Sequence, residues 1–152
     1  YEGMGVKSPV WQDLPSCIQE NITSLSLGKV KIDIKGPDVE VFADLLFQKV
    51  FYNLIDNALR YGGDQLKSIT VYPRETDEGL VIVVEDNGVG IRKEEKEYLF
   101  RRGFGKQTGL GLFLSREILA ITGIAITETG MSGEGARFEI TVPKGIYRVL
   151  RQ

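Results

Sequence analysis

Asn53 and Asn57 lie four residues apart in the segment NLIDNALRYG, and Arg60 follows three residues later. On a helix that spacing stacks the two carboxamides one turn apart. With Asn53 as origin and about 100° per residue, Asn57 and Arg60 fall within about 40° of it, whereas Phe47, Phe51, Leu54, Ile55 and Ala58 gather in an arc near 150°. One face is core, and the other carries two amides and a guanidinium. Polar helix faces are usually just solvated, but Asn is a poor helix former, and two of them in mid-helix need a reason. Carboxamide oxygens are hard donors suited to Mg²⁺ that already carries phosphate oxygens.

Three further segments invite chemistry. Asp86 to Ile91 reads DNGVGI after a strongly apolar run. It is common turn chemistry, yet a carboxylate at the mouth of an apolar pocket also suits an adenine amino group, with Gly88 and Gly90 allowing close backbone approach. Thr108 to Ser115 reads TGLGLFLS, a glycine pair leading into a helix. Helix-entry glycines serve packing as well, but unpaired N–H groups at such an entry can receive a polyphosphate. Gly133 to Phe138, GEGARF, by itself indicates only a hairpin.

Composition limits what these segments can do. The chain has 152 residues, 42% hydrophobic and 26% charged, which suits one compact domain with its own core. It contains no histidine, which excludes a Ser-His-Asp or Cys-His site, a His-ligated zinc and an imidazole switch. The lone Cys17 can form no internal disulfide, so a reducing, intracellular setting is expected. With 19 basic against 21 acidic residues there is no case for nucleic-acid binding. The longest pure aliphatic run, Leu80 to Val84, is too short to span a bilayer, so no membrane insertion by this chain is expected. The first residue is Tyr1, consistent with a piece of a longer protein.

The elements that must position these residues are legible in outline. Leu14, Ile18 and Ile22 predict a helix from Val10 to about Ser24, and Val30–Ile34 and Val39–Phe42 read as strands. Asp44 to Tyr61 is the amphipathic helix, ended by Gly62-Gly63. Lys67–Arg74 and Leu80–Asp86 form a hairpin, Arg92–Phe100 a charged helix, and Leu112–Thr122 another helix. Ile124–Thr129 and Ala136–Val142 follow as strands. Helices interspersed with hairpin-connected strands imply an α/β (α+β) two-layer sandwich, not a parallel doubly wound sheet.

The familiar phosphate loops are absent. Gly105-Lys106 is followed by Gln107 and has Phe100 where a P-loop's first glycine belongs. A His-Arg-Asp loop is impossible without histidine, and Gly103 to Gly109 has the wrong spacing for a dinucleotide fingerprint.

Together and in order, VFADLLFQKVFYNLIDNALRYG, DNGVGI, the Phe100/Phe104 region, TGLGLFLSREIL and GEGARFEITVP closely resemble the ATP-binding catalytic domain of sensor histidine kinases, in the Bergerat or GHKL superfamily. The resemblance covers about two-thirds of the chain from near Val39. It implies a mixed, mostly antiparallel sheet packed by about three helices. It also implies ATP and Mg²⁺ as ligands, with residues 1–152 a single catalytic domain lacking its phosphoacceptor. Asn57 then matches the main Mg²⁺-ligating asparagine and Asn53 its supporting neighbour, with Arg60 and Tyr61 closing that face onto the nucleotide. Asp86 matches the adenine-recognising aspartate, with Gly88, Gly90 and Ile91 beneath the base. Gly109, Leu110, Gly111 and Leu112 match the turn at the phosphates, with Thr108 and Lys106 nearby.

Hydrolysing relatives carry a glutamate where this chain has Asn53, and an amide cannot activate water. The resemblance therefore implies a kinase, with Asn53, Asn57, Arg60 and Lys106 as its catalytic set and Ile91 to Thr108 as a lid. That lid is short; Gln107 replaces a usual glycine and Gly105 a frequent arginine, which leaves Lys106, or failing that Arg102, as the phosphate contact. The implied partners are a histidine-bearing dimerisation domain of the same full-length protein and a response regulator, with the domain itself cytoplasmic and monomeric. An anti-sigma-factor type of serine kinase shares these motifs, and an interaction module that senses nucleotide without transferring phosphate is the third reading.

Overall fold

The computed structural model describes residues 8–102 and 111–150. Strand β1 (Val10–Asp13) leads directly into helix α1 (Leu14–Ile22). The expected helix from Val10 is thus shorter, for a local and a distant reason. Asp13 caps α1, its Oδ2 accepting the Ser16 backbone N–H at 3.1 Å and hydroxyl at 2.8 Å, and Pro15 sits in the first turn. The residues before the cap pair antiparallel with strand β3 (Val39–Ala43), a partner no local pattern reveals.

Strand β2 (Lys31–Ile34) precedes β3, and helix α2 (Phe47–Tyr61) follows it. α2 begins three residues later than the pattern implies because buried Asp44 shapes the entry turn, its Oδ1 accepting the Leu46 N–H at 2.9 Å. The expected hairpin is β4 (Ser68–Thr76) and β5 (Gly79–Asp86). Helix α3 (Lys93–Lys96) is much shorter than the expected charged helix, because the chain turns after it to bury Leu99 and dock Phe100. Helix α4 (Gly111–Ala120), β6 (Ala125–Glu128), β7 (Arg137–Pro143) and an unforeseen β8 (Tyr147–Val149) complete the order.

The strands form two sheets. The larger is mixed, in the order β2-β4-β5-β7-β6, with only β2–β4 parallel. The smaller, β1-β3-β8, is antiparallel. The α+β architecture with a mostly antiparallel sheet is as expected; the separate small sheet is not, since β1 and β8 are short and meet only through β3.

One core joins both sheets to the helices. Phe47, Val50, Phe51, Leu54 and Ile55 of α2 are fully buried, with Phe47 and Phe51 edge to face at 5.1 Å. Leu80, Ile82 and Val84 of the central strand β5 meet the same core, whereas Val81 and Val83 are buried on the opposite face beside Tyr72, Arg74 and Glu139. α2 packs between α1 and α4. Asn21 locks the first contact, its Nδ2 donating to Cys17 O at 2.7 Å and Gln48 O at 2.9 Å.

Cys17 is buried in this interface, and burial, reinforced by Glu20 and Asp13, pushes its thiol pKa up to about 12. At pH 8 the thiolate is only ~10⁻⁴ of the population. A disulfide reagent added to the folded chain should therefore react very slowly and reach full modification only when urea unfolds it, a contrast readable by absorbance.

Candidate functional site

The site gathers at the end of β5 and beside the outer face of α2. Asp86 closes β5, the middle strand of the large sheet. Its Oδ1 accepts N–H groups from Gly88 at 2.8 Å and Ala136 at 3.2 Å, while its own N–H donates to Ala136 O at 2.9 Å. Oδ2 takes no hydrogen bond from the described residues. Burial pushes the carboxyl pKa upward, the two backbone donors oppose this, and the charge of Glu128 adds to the rise.

Gly88 and Gly90 are needed for close approach, and in this structure the approach is to backbone. A Cβ at Gly88 would lie 2.7 Å from Gly62 O, and one at Gly90, whose φ is +75°, 2.9 Å from Gly135 O and Met131 O. The loop thus lies tightly between the end of α2 and the β6–β7 turn. Ile91 packs partly buried against the core. Two residues that motif reading passed over hold this loop. Asn87 Oδ1 accepts the N–H groups of Lys67 at 2.7 Å and Ser68 at 3.0 Å, and Gln65 Nε2 donates to Gly88 O at 2.8 Å and Gly133 O at 3.0 Å. For Asn87 the signal was its place in DNG; nothing local marks Gln65.

On α2, the arc predicted to be core is core, and Asn53 and Asn57 are half-buried on the other side. Asn53 ties α2 to α4: its Nδ2 donates to Gly111 O and Ser115 Oγ, both at 3.1 Å, and Ser115 Oγ donates to Gly111 O at 2.8 Å. No described residue donates to its carbonyl oxygen. Asn57 makes no hydrogen bond among the described residues. Arg60 is exposed and turned along the helix to Asp56, Nε to Oδ2 at 2.9 Å, which raises its pKa. Tyr61 is exposed at the end of α2, and Leu112 is buried in the first turn of α4.

Among the described residues no group of three or more His, Cys, Asp and Glu side chains could hold a metal. The available donors, the amide oxygens of Asn53 and Asn57, fit a cation that brings its own phosphate ligands.

The expected lid is docked over its first part. Leu99 is buried, and the Phe100 ring meets Phe138 edge-on at 6.2 Å. Arg102 lies over the Phe113 ring at 4.9 Å, engaged with an aromatic face. Lys106, Thr108, Gly109 and Leu110 lie outside the described residues. On the far side, Glu128 of β6 is nearly fully buried and paired with Lys96 at 2.8 Å, a contact the sequence pattern of a solvated charged helix concealed.

Residues 43–146 match the family model described as histidine kinase-, DNA gyrase B- and HSP90-like ATPase. The sensor protein ChvG of Agrobacterium fabrum is 32% identical over 114 residues, 66% of this chain and 19% of that protein. The sensor protein PhoQ of Escherichia coli K12 is 39% identical over 100 residues, 62% of this chain and 20% of that protein. The chain thus spans about a fifth of these curated relatives. The mycobacterial sensor histidine kinase MprB shares the fold at a TM-score of 0.79 and 19% identity, covering 93% of this chain and all of that one. With a family model matched from Ala43 through both glycine-bearing turns to Ile146, and the fold of a histidine kinase domain around them, this chain belongs to the histidine kinase-, DNA gyrase B- and HSP90-like ATPase family.

Proposed function

We propose that the chain is the ATP-binding catalytic domain of a sensor histidine kinase, a single domain of a longer protein. The observation that carries this reading is the half-committed carboxylate of Asp86: Oδ1 is fixed by Gly88 and Ala136, and Oδ2 is left for a donor such as the adenine amino group. Support comes from full-length ShkA, a structure in complex with AMPPNP that matches 95% of this chain at a TM-score of 0.76 and 19% identity.

In this reading Asn57 and Asn53 present carbonyl oxygens to the metal, and Arg60 leaves Asp56 to face phosphate together with Lys106. Mg²⁺, held there, would supply neutralisation of the phosphate charge. The roles assigned to Thr108, Gly109, Leu110 and Gly111 are contacts to the polyphosphate, and those assigned to Tyr61, Gly88, Gly90, Ile91 and Leu112 are contacts to the nucleoside. An imidazole nitrogen on the dimerisation domain attacks the γ-phosphorus, the bond to the bridging oxygen breaks, and ADP leaves. Water is a poor competitor because the Asn53 amide accepts no proton from it. The chain contains no histidine, so it does not label itself on one. The phosphoryl group then passes from the dimerisation domain to a response regulator on the cytoplasmic side. No helix among the described residues is long and apolar enough to cross a membrane.

Calorimetric titration should show Mg²⁺-dependent ATP binding, and Asn57→Ala should remove most of the Mg²⁺-dependent part while leaving binding in EDTA nearly unchanged. Adding a histidine-bearing dimerisation domain should give an acid-labile phosphoryl product. An acid-stable phosphoserine would favour the serine-kinase reading, binding without transfer an interaction module, and absence of ATP binding would end all three.

A further inference from the structure

Glu128 is a charged side chain outside the nucleotide-facing residues, yet its side chain is only 2% exposed. Both carboxylate oxygens are held, Oε2 through hydrogen bonds and Oε1 through an ion pair alone. Oε1 pairs with Lys96 Nζ at 2.8 Å, and Oε2 accepts the backbone N–H groups of Gly130 and Arg137, both at 3.0 Å. Lys96 Nζ also donates to Gly130 O, so the ammonium and carboxylate close a ring around the start of the β6–β7 turn. An ion pair with one partner buried and the other, Lys96, 29% exposed contributes little net stability compared with apolar residues, because desolvation of the carboxylate offsets the attraction. Its position suggests what else it does.

Arg137 is the residue after Ala136. Glu128 holds Arg137 by its N–H, Thr129 N–H donates to Arg137 O at 2.8 Å, and Ala136 N–H donates to Asp86 Oδ1 at 3.2 Å. The Ala136–Arg137 segment is therefore gripped by Glu128 at one peptide and grips Asp86 with the next. Lys96 ends α3, three residues before buried Leu99, so the same ring ties the root of the lid segment to the turn.

We propose that Glu128, neutralised by Lys96, is a positioning residue for adenine selectivity: it fixes the Arg137 peptide so that Ala136 holds Asp86 Oδ1 and aims Oδ2 at the base. This rests on the reading of Asp86 given under Proposed function. Glu128→Leu removes the acceptor for both N–H groups, whereas Glu128→Gln keeps one oxygen to accept them.

The test measures affinities for Mg-ATP and Mg-ITP in the 152-residue chain and each variant: hypoxanthine carries an oxygen where adenine carries its amino group, so only the ATP contact should depend on Asp86 Oδ2. The ATP-to-ITP affinity ratio should fall by about tenfold in Glu128→Leu, the equivalent of one charge-assisted hydrogen bond weakened, and be largely retained in Glu128→Gln. A merely structural pair would weaken both nucleotides together and leave the ratio unchanged, which overturns the proposal. If Glu128→Leu does not fold, Lys96→Met takes its place. It leaves the carboxylate buried without its cation, and should lower the same ratio and speed hydrogen exchange at Ala136 and Arg137; an unchanged ratio there also overturns the proposal. If the unchanged chain itself shows no preference for ATP over ITP, the reading of Asp86 fails first and this inference falls with it. A preserved preference in the parent with an unaltered ratio in Glu128→Leu refutes the positioning role alone.

Discussion

Asp86→Asn should weaken Mg-ATP binding by roughly ten- to a hundredfold or more, the loss of one charge-assisted hydrogen bond, while leaving the nucleotide-free domain at least as stable as its parent. The asparagine oxygen can still accept the N–H groups of Gly88 and Ala136, so the local backbone keeps its anchor. The amide nitrogen then stands where Oδ2 was and presents a donor to the donor of adenine. The stability follows from the sign of the pKa shift. Burial raises the Asp86 pKa above its ordinary 3.8, so the folded state holds the proton more tightly than the unfolded chain. The stability this gives is present below 3.8 and is lost as pH rises through the raised value, so at pH 7 the ionised group is a net cost relative to a neutral one. Asparagine removes that cost. Calorimetry and thermal melts at pH 4 and pH 7 separate the two effects: binding should drop, and the parent's relative loss of stability between these pH values should shrink in the variant. Unaltered affinity would overturn the role of Asp86 whatever the melts show.

Gly135→Ala should be the most damaging single methyl in the site. Gly135 has φ of +133°, and an added Cβ would lie 1.9 Å from Asp86 O, a contact only main-chain movement can relieve. Overpacking and backbone strain together should cost about 2–5 kcal/mol. Because the atom that must move is the carbonyl of Asp86, affinity for Mg-ATP should fall as well. Gly123→Ala is the matched comparison: Gly123 also has positive φ, +77°, but nothing lies within 4 Å of its added Cβ, so strain alone applies. Urea titrations should place Gly135→Ala well below Gly123→Ala in stability. Equal midpoints would mean that the β6–β7 turn yields easily and that the contact with Asp86 is not close in solution.

These two substitutions show how unevenly the site was legible. Asp86 was readable from its place at the head of DNGVGI, just past the apolar run Leu80 to Val84, together with the other motifs in order, although the segment alone is ordinary turn chemistry. Gly135 was readable only as part of a hairpin, since its need for a bare Cα comes from Asp86, a residue 49 positions away in sequence. The same holds for Asn53. Its place on the polar arc of α2 was plain from the 3.6-residue period, but its bonds to Gly111 and Ser115 depend on how α4 docks. Arg60 shared that arc and instead turned to Asp56, a neighbour at i−4.

The fold divides along the same line. Local periodicity determined α2, the β4–β5 hairpin and β7, because each buries a face whose pattern repeats within the element itself. Residue chemistry determined that no histidine serves this chain, and the ordered motifs carried its family resemblance. Tertiary structure alone decided that Val10–Asp13 is a strand, because its partner β3 lies some thirty residues on, and that the expected charged helix shrinks to Lys93–Lys96, because Leu99 and Phe100 must enter the core. It also decided that Lys96 and Glu128, two ordinary surface charges in sequence, pair with the carboxylate buried against the turn that holds Asp86. Periodicity records which face of an element is buried; which distant side chain it meets depends on packing among elements, and no single segment encodes that.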